Sequence, residues 1–396
     1  MFQKVHRLFS KRVHQYFPVL LSMLWLLSIN AVNAATLEHK DQQAVLKWLQ
    51  QYQPNVLHAK KSTTFSNFIN QIANKDVILV GEIHDRYDHH LTQCAILKSL
   101  HERNPKVALG VEWFQQSFQP VIDDYLAGNI DEATLLSRSE YYERWRYDYR
   151  MLRPIMQYAK ANHIPVIALN APMELTQKIS KGGLAALSPS ERAQLPQMIA
   201  PANEAYRSRL KQIFAQHMGS DKAKLENFLM VQRVWDATMA HNISRFLKQH
   251  PGWQMIALTG SGHIIHGNGI PQDLAQQNPN LKIATVISGT VGDVQAGMVN
   301  YVVQTQPLDL PATGKLGVML DQTPTGVVIK ALMPKSAAMQ VGLQKQDRIV
   351  GLNNQSIQNL SQLLQQLSQF APKEVINLEI ARTGQSKPLR YRVTLQ

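Results

Sequence analysis

The sequence predicts an α/β chain: a mostly parallel sheet with flanking helices and a helical insertion, followed by a small β-rich domain. Three observations carry this. From residue 75 on, short β-branched runs alternate with longer patterns of 3.6-residue period. The stretch 186–250 breaks that alternation, being long, polar and helical by pattern. Beyond residue 314 histidine disappears, glutamine is plentiful, and short strands return with one helix.

The 396 residues suggest two or three domains, and a hydrophobic fraction of 44% with 17% charged residues is that of a globular chain. Its first 34 residues read as a leader. Lys4, Arg7, Lys11 and Arg12 precede any acid, and an apolar run, Phe17 to Ile29, follows. Small residues around Ala34 complete the pattern of a secretory signal peptide cleaved after Ala34. The run is short of the roughly 20 residues that span a bilayer. No cysteine stands at its exit, so a lipoprotein anchor is not expected. The expectation is a periplasmic or secreted protein. Loss of the leader lowers the net charge from +13 to +9. That balance suits a weak membrane-surface association and is no nucleic-acid signature. One cysteine, Cys94, excludes an internal disulfide framework and multi-cysteine metal sites. It sits on the apolar side of a helical pattern and reads as a small buried hydrophobe.

The strands expected in residues 35–303 are VILVG (77–81), VALGVE (107–112), IPVIALN (164–170), QMIALTG (254–260) and IATVISG (283–289). Helical patterns lie between them, at 91–103 and 152–163 among others. Such alternation implies a parallel sheet covered on both faces. The segment QTQPLDLPATG (304–314), with two prolines and a glycine, reads as a linker. Residues 315–396 are the second domain.

That domain resembles a bacterial PDZ domain. Lys315-Leu316-Gly317-Val318-Met319 stands where the family has its carboxylate-binding loop, and Gly326-Val327-Val328-Ile329 is the next strand. Pro334-Lys335-Ser336-Ala337-Ala338, Gly342-Leu343, Asp347-Arg348-Ile349-Val350 and Leu352-Asn353 follow with the family spacing. The helix at 359–370 and a strand at 375–381 complete the match. Gln346 departs from it, at a surface turn where glycine is usual. The resemblance implies β-augmentation by a partner's peptide C-terminus, held at Leu316, Gly317 and Val318.

Two segments of the large domain share one pattern. Gly81-Glu82-Ile83-His84 follows VILVG, and Gly260-Ser261-Gly262-His263 follows QMIALTG. Ligands of open α/β sheets bind beyond the carboxyl ends of the strands. Glu82, His84 and His263 are therefore expected in one crevice, with Glu112 and Asn170 from two further strand ends. Imidazole with carboxylate suits zinc, iron or manganese, and equally general acid–base work. His89, His90 and His266 are weaker candidates.

Residues 65–300 resemble the ChaN-like haem-binding uptake family, within the wider Tiki/TraB/erythromycin-esterase-like superfamily. The segments that carry this are VGEIHD (80–85), GVEWF (110–114), RWRYDYRMLRPIMQYAK (144–160), IALNAP (167–172), QRVWDATMAHNI (232–243) and TGSGHIIHGNGIP (259–271). The resemblance implies haem binding linked to iron acquisition and favours a tyrosine as iron ligand. Tyr141, Tyr142, Tyr147 and Tyr149 are the candidates, with Trp145 to stack on the porphyrin. Arg144, Arg146 and Arg150 are candidates for the propionates. A homodimer is compatible with this reading. By kinship with the Tiki proteases, the alternative is a metal-dependent hydrolase, with a divalent metal on Glu82, His84, Glu112 and His263 activating water. There Asp236 and His241 would face the same cleft and Arg233 would stabilise an oxyanion. A third reading is a non-catalytic periplasmic scaffold.

Overall fold

A computed structural model describes residues 43, 45, 47–58, 61–218, 222–289 and 297–396. The expected leader, residues 1–34, lies outside the described residues. Two compact units are formed, residues 1–52 and 53–396. In the first, residues 47–51 are helical and Trp48 stacks on Tyr52.

The second unit contains two sheets. The larger has eight strands: β1 (Asn55–His58), β2 (Lys61–Thr64), β3 (Val77–Glu82), β4 (Val107–Gln115), β5 (Val166–Asn170), β6 (Gln254–Gly260), β7 (Ile283–Gly289) and β8 (Tyr301–Gln304). Their order is β2-β1-β8-β7-β3-β6-β4-β5. From β8 to β5 every pairing is parallel. The β1–β2 hairpin closes one edge in antiparallel fashion. The five expected strands are contiguous in this order, with β7, β3, β6 and β4 inside and β5 at the edge. The hairpin and β8 add to them; four-residue strands such as KSTT carry too few side chains to show a period.

Helices α1 (Phe65–Ile72), α2 (Tyr87–His101), α3 (Gln119–Leu126), α4 (Glu132–Arg138), α5 (Tyr141–Arg144) and α6 (Arg153–Ala161) lie between β2 and β5, and α7 (Met173–Gly182) follows β5. The insertion holds α8 (Pro189–Arg192), α9 (Glu204–Met218) and α10 (Lys222–Gln249), and α11 (Ile270–Gln277) follows β6. β3 and β6 are buried along their whole length, which explains their continuous apolar runs. One face of the sheet packs Val77, Leu79 and Ala257 against Met239 and Ile243 of α10 and Leu274 of α11. Cys94 is fully buried in α2, and burial pushes its thiol up to about 12. Among the described residues no helix is long and apolar enough to cross a membrane.

The smaller sheet is antiparallel. Its strands are β9 (Val318–Thr323), β10 (Gly326–Leu332), β11 (Arg348–Leu352), β12 (Gln355–Ser356), β13 (Val375–Ala381) and β14 (Leu389–Thr394). Their order is β14-β13-β11-β10-β9, with β12 on β11. β14 lies beyond the last strand expected from sequence. Helices α12 (Ala337–Gln340) and α13 (Leu360–Leu367) close the core, where Leu363 meets Val327, Ile349 and Ile376. Gly317 has φ +69°, and a Cβ there would stand 2.4 Å from the Ser336 Cβ, so only glycine fits. Gln346, the departure noted in the sequence, has φ +72° and occupies a turn that glycine adopts without strain.

The two sheets are joined by more than the linker. α13 packs against α4 and α5. Asn359 Nδ2 donates to Ser137 Oγ at 2.9 Å and Ser361 Oγ to Glu143 Oε2 at 3.0 Å. Arg150 Nη1 reaches the carbonyl of Pro311 at 2.9 Å.

Candidate functional site

β3, β6 and β4 are neighbours, so their carboxyl ends lie side by side. This brings Glu82, His84, Glu112 and His263 to one end of the sheet. The two G-x-x-H segments interlock through their glycines. A Cβ on Gly260 would fall 2.8 Å from His84 Cε1, and one on Gly81 2.9 Å from Ser261 Cα. Each glycine makes room for the other segment, which is why the pattern is doubled.

The four groups form two separate pairs. Glu82 Oε1 bonds His84 Nδ1 at 2.5 Å. Burial alone would lower the His84 pKa, but the hydrogen bond and charge of Glu82 outweigh it and raise it. His263 lies between two carboxylates, with Nδ1 2.7 Å from Asp236 Oδ1 and Nε2 3.4 Å from Glu112 Oε1. Here too burial opposes the charge, and Glu112 and Asp236 prevail, pushing the pKa to about 10. His263 is therefore an imidazolium at neutral pH. Glu112 is held below the usual carboxylate range against its own burial, by His263 and the Gly260 N–H, which donates to Oε2 at 2.6 Å.

That arrangement lends the metal reading no support. A histidine ligand needs a neutral ring with a free lone pair, and both His263 nitrogens serve carboxylates. Among the described residues no group of three or more histidine, cysteine, aspartate or glutamate side chains is placed to hold a metal. The other residues assigned to that reading also lie elsewhere. Arg233, 2% exposed, is locked between Asp236 (2.9 Å) and Asp273 rather than facing a ligand. Asp236 is buried behind His263 and also accepts from the Tyr206 hydroxyl at 2.7 Å. His241 is exposed. His89 and His90 are fully buried and brace the β3–α2 turn. Ile83 N donates to His89 Nδ1 at 3.1 Å, and His90 Nε2 lies 3.2 Å from the His84 carbonyl. His266 is exposed.

A cavity of about 510 Å³ opens in front of these pairs, lined by His84, Glu112, His263 and Asn170. That volume lies within the range of small-molecule and cofactor sites. Its walls are aromatic and apolar: Trp113, Trp145, Trp235, Tyr147, Leu210 and Phe228. Of the four candidate tyrosines, Tyr147 lines the cavity, its ring centroid 5.2 Å from that of His84. Tyr141, Tyr142 and Tyr149 are not among the lining residues. They are buried against one another and against Phe114, and burial holds their hydroxyls protonated. Trp145 stands edge-on to His84 at 4.8 Å. The sequence reading missed Trp113, although it directly follows Glu112, and the contribution of α9; on α10 it chose Arg233, Asp236 and His241, whereas Phe228, Gln232 and Trp235 line the cavity.

A model of the haem-binding uptake family of the Tiki superfamily, ChaN, matches residues 68–274, just over half of the chain. The chain belongs to this family. A PDZ model matches residues 307–381. Among solved structures, ChaN of Campylobacter jejuni, described with cofacially bound haem, is 20% identical with a TM-score of 0.51. The match covers 63% of this chain and 96% of that one, and shows a shared fold. The type III effector HopBA1 (11% identity, 61% and 92% covered, TM-score 0.38) also matches. So does an erythromycin esterase in its open conformation (14% identity, 64% and 81% covered, TM-score 0.36). Neither carries an argument about activity. Comparison with curated proteins gives no match.

Proposed function

We propose that this chain is an exported haem-binding protein of haem or iron acquisition, whose PDZ module takes the C-terminal peptide of a partner. The observation that carries the haem reading is the aromatic-walled cavity at the strand ends, with Tyr147 and His84 as donors on one side. Bound there, haem would be cargo, and Tyr147 or His84 would hold its ferric iron. Glu82 fixes the His84 ring through Nδ1 and leaves Nε2 for a ligand. Burial and the charges of Asp85, Glu82 and Glu112 raise the Tyr147 pKa, and a ferric ion is the charge that would reverse that balance. In the PDZ module the carbonyls of Leu316 and Gly317 accept from Ala338 N and Met333 N, fixing the loop ahead of Val318. Among the described residues β9 pairs with no strand but β10, so the backbone groups of its other edge are those a peptide strand would pair with.

Titration of the full chain with hemin is expected to give a saturable Soret shift. Tyr147→Phe is expected to weaken binding roughly tenfold or more, the scale of losing a group that holds a bound metal. Absence of a saturable shift in the wild type overturns the haem reading.

The Glu82–His84 pair supports a second reading, hydrolysis without a metal. Glu82 holds the His84 ring through Nδ1 and so orients Nε2 as general base. Hydrolysis of p-nitrophenyl acetate by wild type and His84→Ala decides it. A rate at least about a hundredfold lower in the variant is expected on this reading, and equal rates rule it out.

A further inference from the structure

Five basic groups bear on the cavity or stand directly behind it, and four of them are neutralised. His84 pairs with Glu82, and His263 with Glu112 and Asp236. Arg233 lies between Asp236 and Asp273. Arg144, despite lining the cavity, is spent on Glu140 and Glu174 at 2.6 Å each and on Gln115 Oε1 at 2.7 Å.

The fifth is Arg209, which α9 delivers to the lining. Among the described residues it has no carboxylate partner. Among the described residues its one hydrogen bond runs from Nη2 to the carbonyl of Gly262 at 2.8 Å, and its guanidinium lies over the Tyr206 ring at 4.9 Å. That carbonyl belongs to the residue before His263, so the guanidinium is held at the edge of the G-x-x-H segment.

Arg209 Nε is buried and has no acceptor. The other orphaned polar atom among the lining residues is Trp113 Nε1, again a donor. Buried donors without acceptors are costly and rare in folded proteins. Two of them in the wall of one cavity, one belonging to a guanidinium that no carboxylate pairs directly, call for a ligand that brings acceptors and negative charge. The lining otherwise offers such a ligand an aromatic and apolar wall.

We propose that Arg209 is the residue that binds a carboxylate of the cavity's ligand. The inference rests on the haem reading, in which those carboxylates are the porphyrin propionates. It reassigns their recognition from the arginines that flank the tyrosine cluster. Arg144 is committed as above, Arg150 is paired with Asp148, and Arg146 is exposed with its Nε on the carbonyl of Glu143. The anchor comes instead from the helical insertion. A guanidinium makes two parallel bonds to a carboxylate, so lysine is an incomplete substitute.

The test compares hemin with hemin dimethyl ester, whose propionates are blocked, on the full chain as wild type, Arg209→Gln and Arg209→Lys. Wild type is expected to prefer hemin by about 10- to 100-fold, the range of a charged hydrogen bond. The preference should fall to near unity in Arg209→Gln and return in part in Arg209→Lys. Thermal melts of the variants without ligand identify a loss of fold, and a misfolded glutamine variant leaves the wild-type preference and the lysine variant to decide. Equal binding of both porphyrins by the wild type overturns the assignment alone. So does a full preference kept in Arg209→Gln. Binding of neither overturns the haem reading, and the assignment with it.

Discussion

Arg233→Met will destabilise the folded chain by about 3–5 kcal/mol, the cost of breaking a buried ion pair from one side. The arginine is 2% exposed and holds two carboxylates at once. Its Nε also donates to the Ala200 carbonyl at 2.8 Å, tying α10 to the segment before α9. Methionine fills much of the volume, so the loss is electrostatic rather than a cavity. Asp236 would keep His263 and Tyr206, but Asp273 would keep no cation. Asp273 is the weak point of the cluster. Burial already lifts its pKa to about 6 against the pull of Arg233, and without the arginine it will fold only as the neutral acid. Arg207→Met is the control. Its partner Glu226 is comparably exposed, and such surface pairs contribute less than about 1 kcal/mol. Urea denaturation of both variants measures the difference. Equal midpoints would show that the Arg233 cluster carries no more stability than a surface pair.

What the sequence made legible follows from where the physical constraint is local. A central parallel strand is buried on both faces, so it must be apolar along its length, and β3, β4, β6 and β7 announced themselves in that way. The polar residues directly after such runs mark the ligand end of the sheet, so Glu82, His84, Glu112 and His263 came to the same place. Their partners were not legible. Nothing in the spacing says that Glu82 takes His84 while Glu112 and Asp236 take His263, because that depends on strand order, in which β6 lies between β3 and β4. The tyrosine cluster was equally silent. Tyr147 and Tyr149 are two residues apart, yet one lines the cavity and the other is fully buried. Arg209 was invisible for a further reason. α9 has little amphipathic bias, so its sequence does not mark the face that roofs the site.

Stability is expected to fall as pH rises from about 6.5 to about 10, chiefly through His263, with His84, whose pKa is also raised, adding in the same direction. Its folded pKa of about 10 lies above the value near 6.5 of an unfolded histidine. Between those two values His263 binds a proton in the folded chain that it does not bind in the unfolded chain. Unfolding then releases a proton, and raising the pH favours it. The contribution is complete below pH 6.5 and is lost as pH rises through the folded pKa, at up to about 1.4 kcal/mol per pH step. The cause is the pair of carboxylates, Glu112 at 3.4 Å and Asp236 at 2.7 Å, acting on a ring that burial would otherwise leave neutral. Glu112 has its own pKa lowered, so its contribution is lost only in acid, well outside this window. His263→Gln keeps a hydrogen-bonding side chain and removes the titration. The slope of unfolding free energy between pH 7 and 9.5 should therefore be shallower in His263→Gln by close to one proton. Parallel slopes for the two proteins would mean that His263 folds as the neutral ring. One of its nitrogens would then be free, and the argument against metal ligation at this histidine would be lost with the argument for its charge.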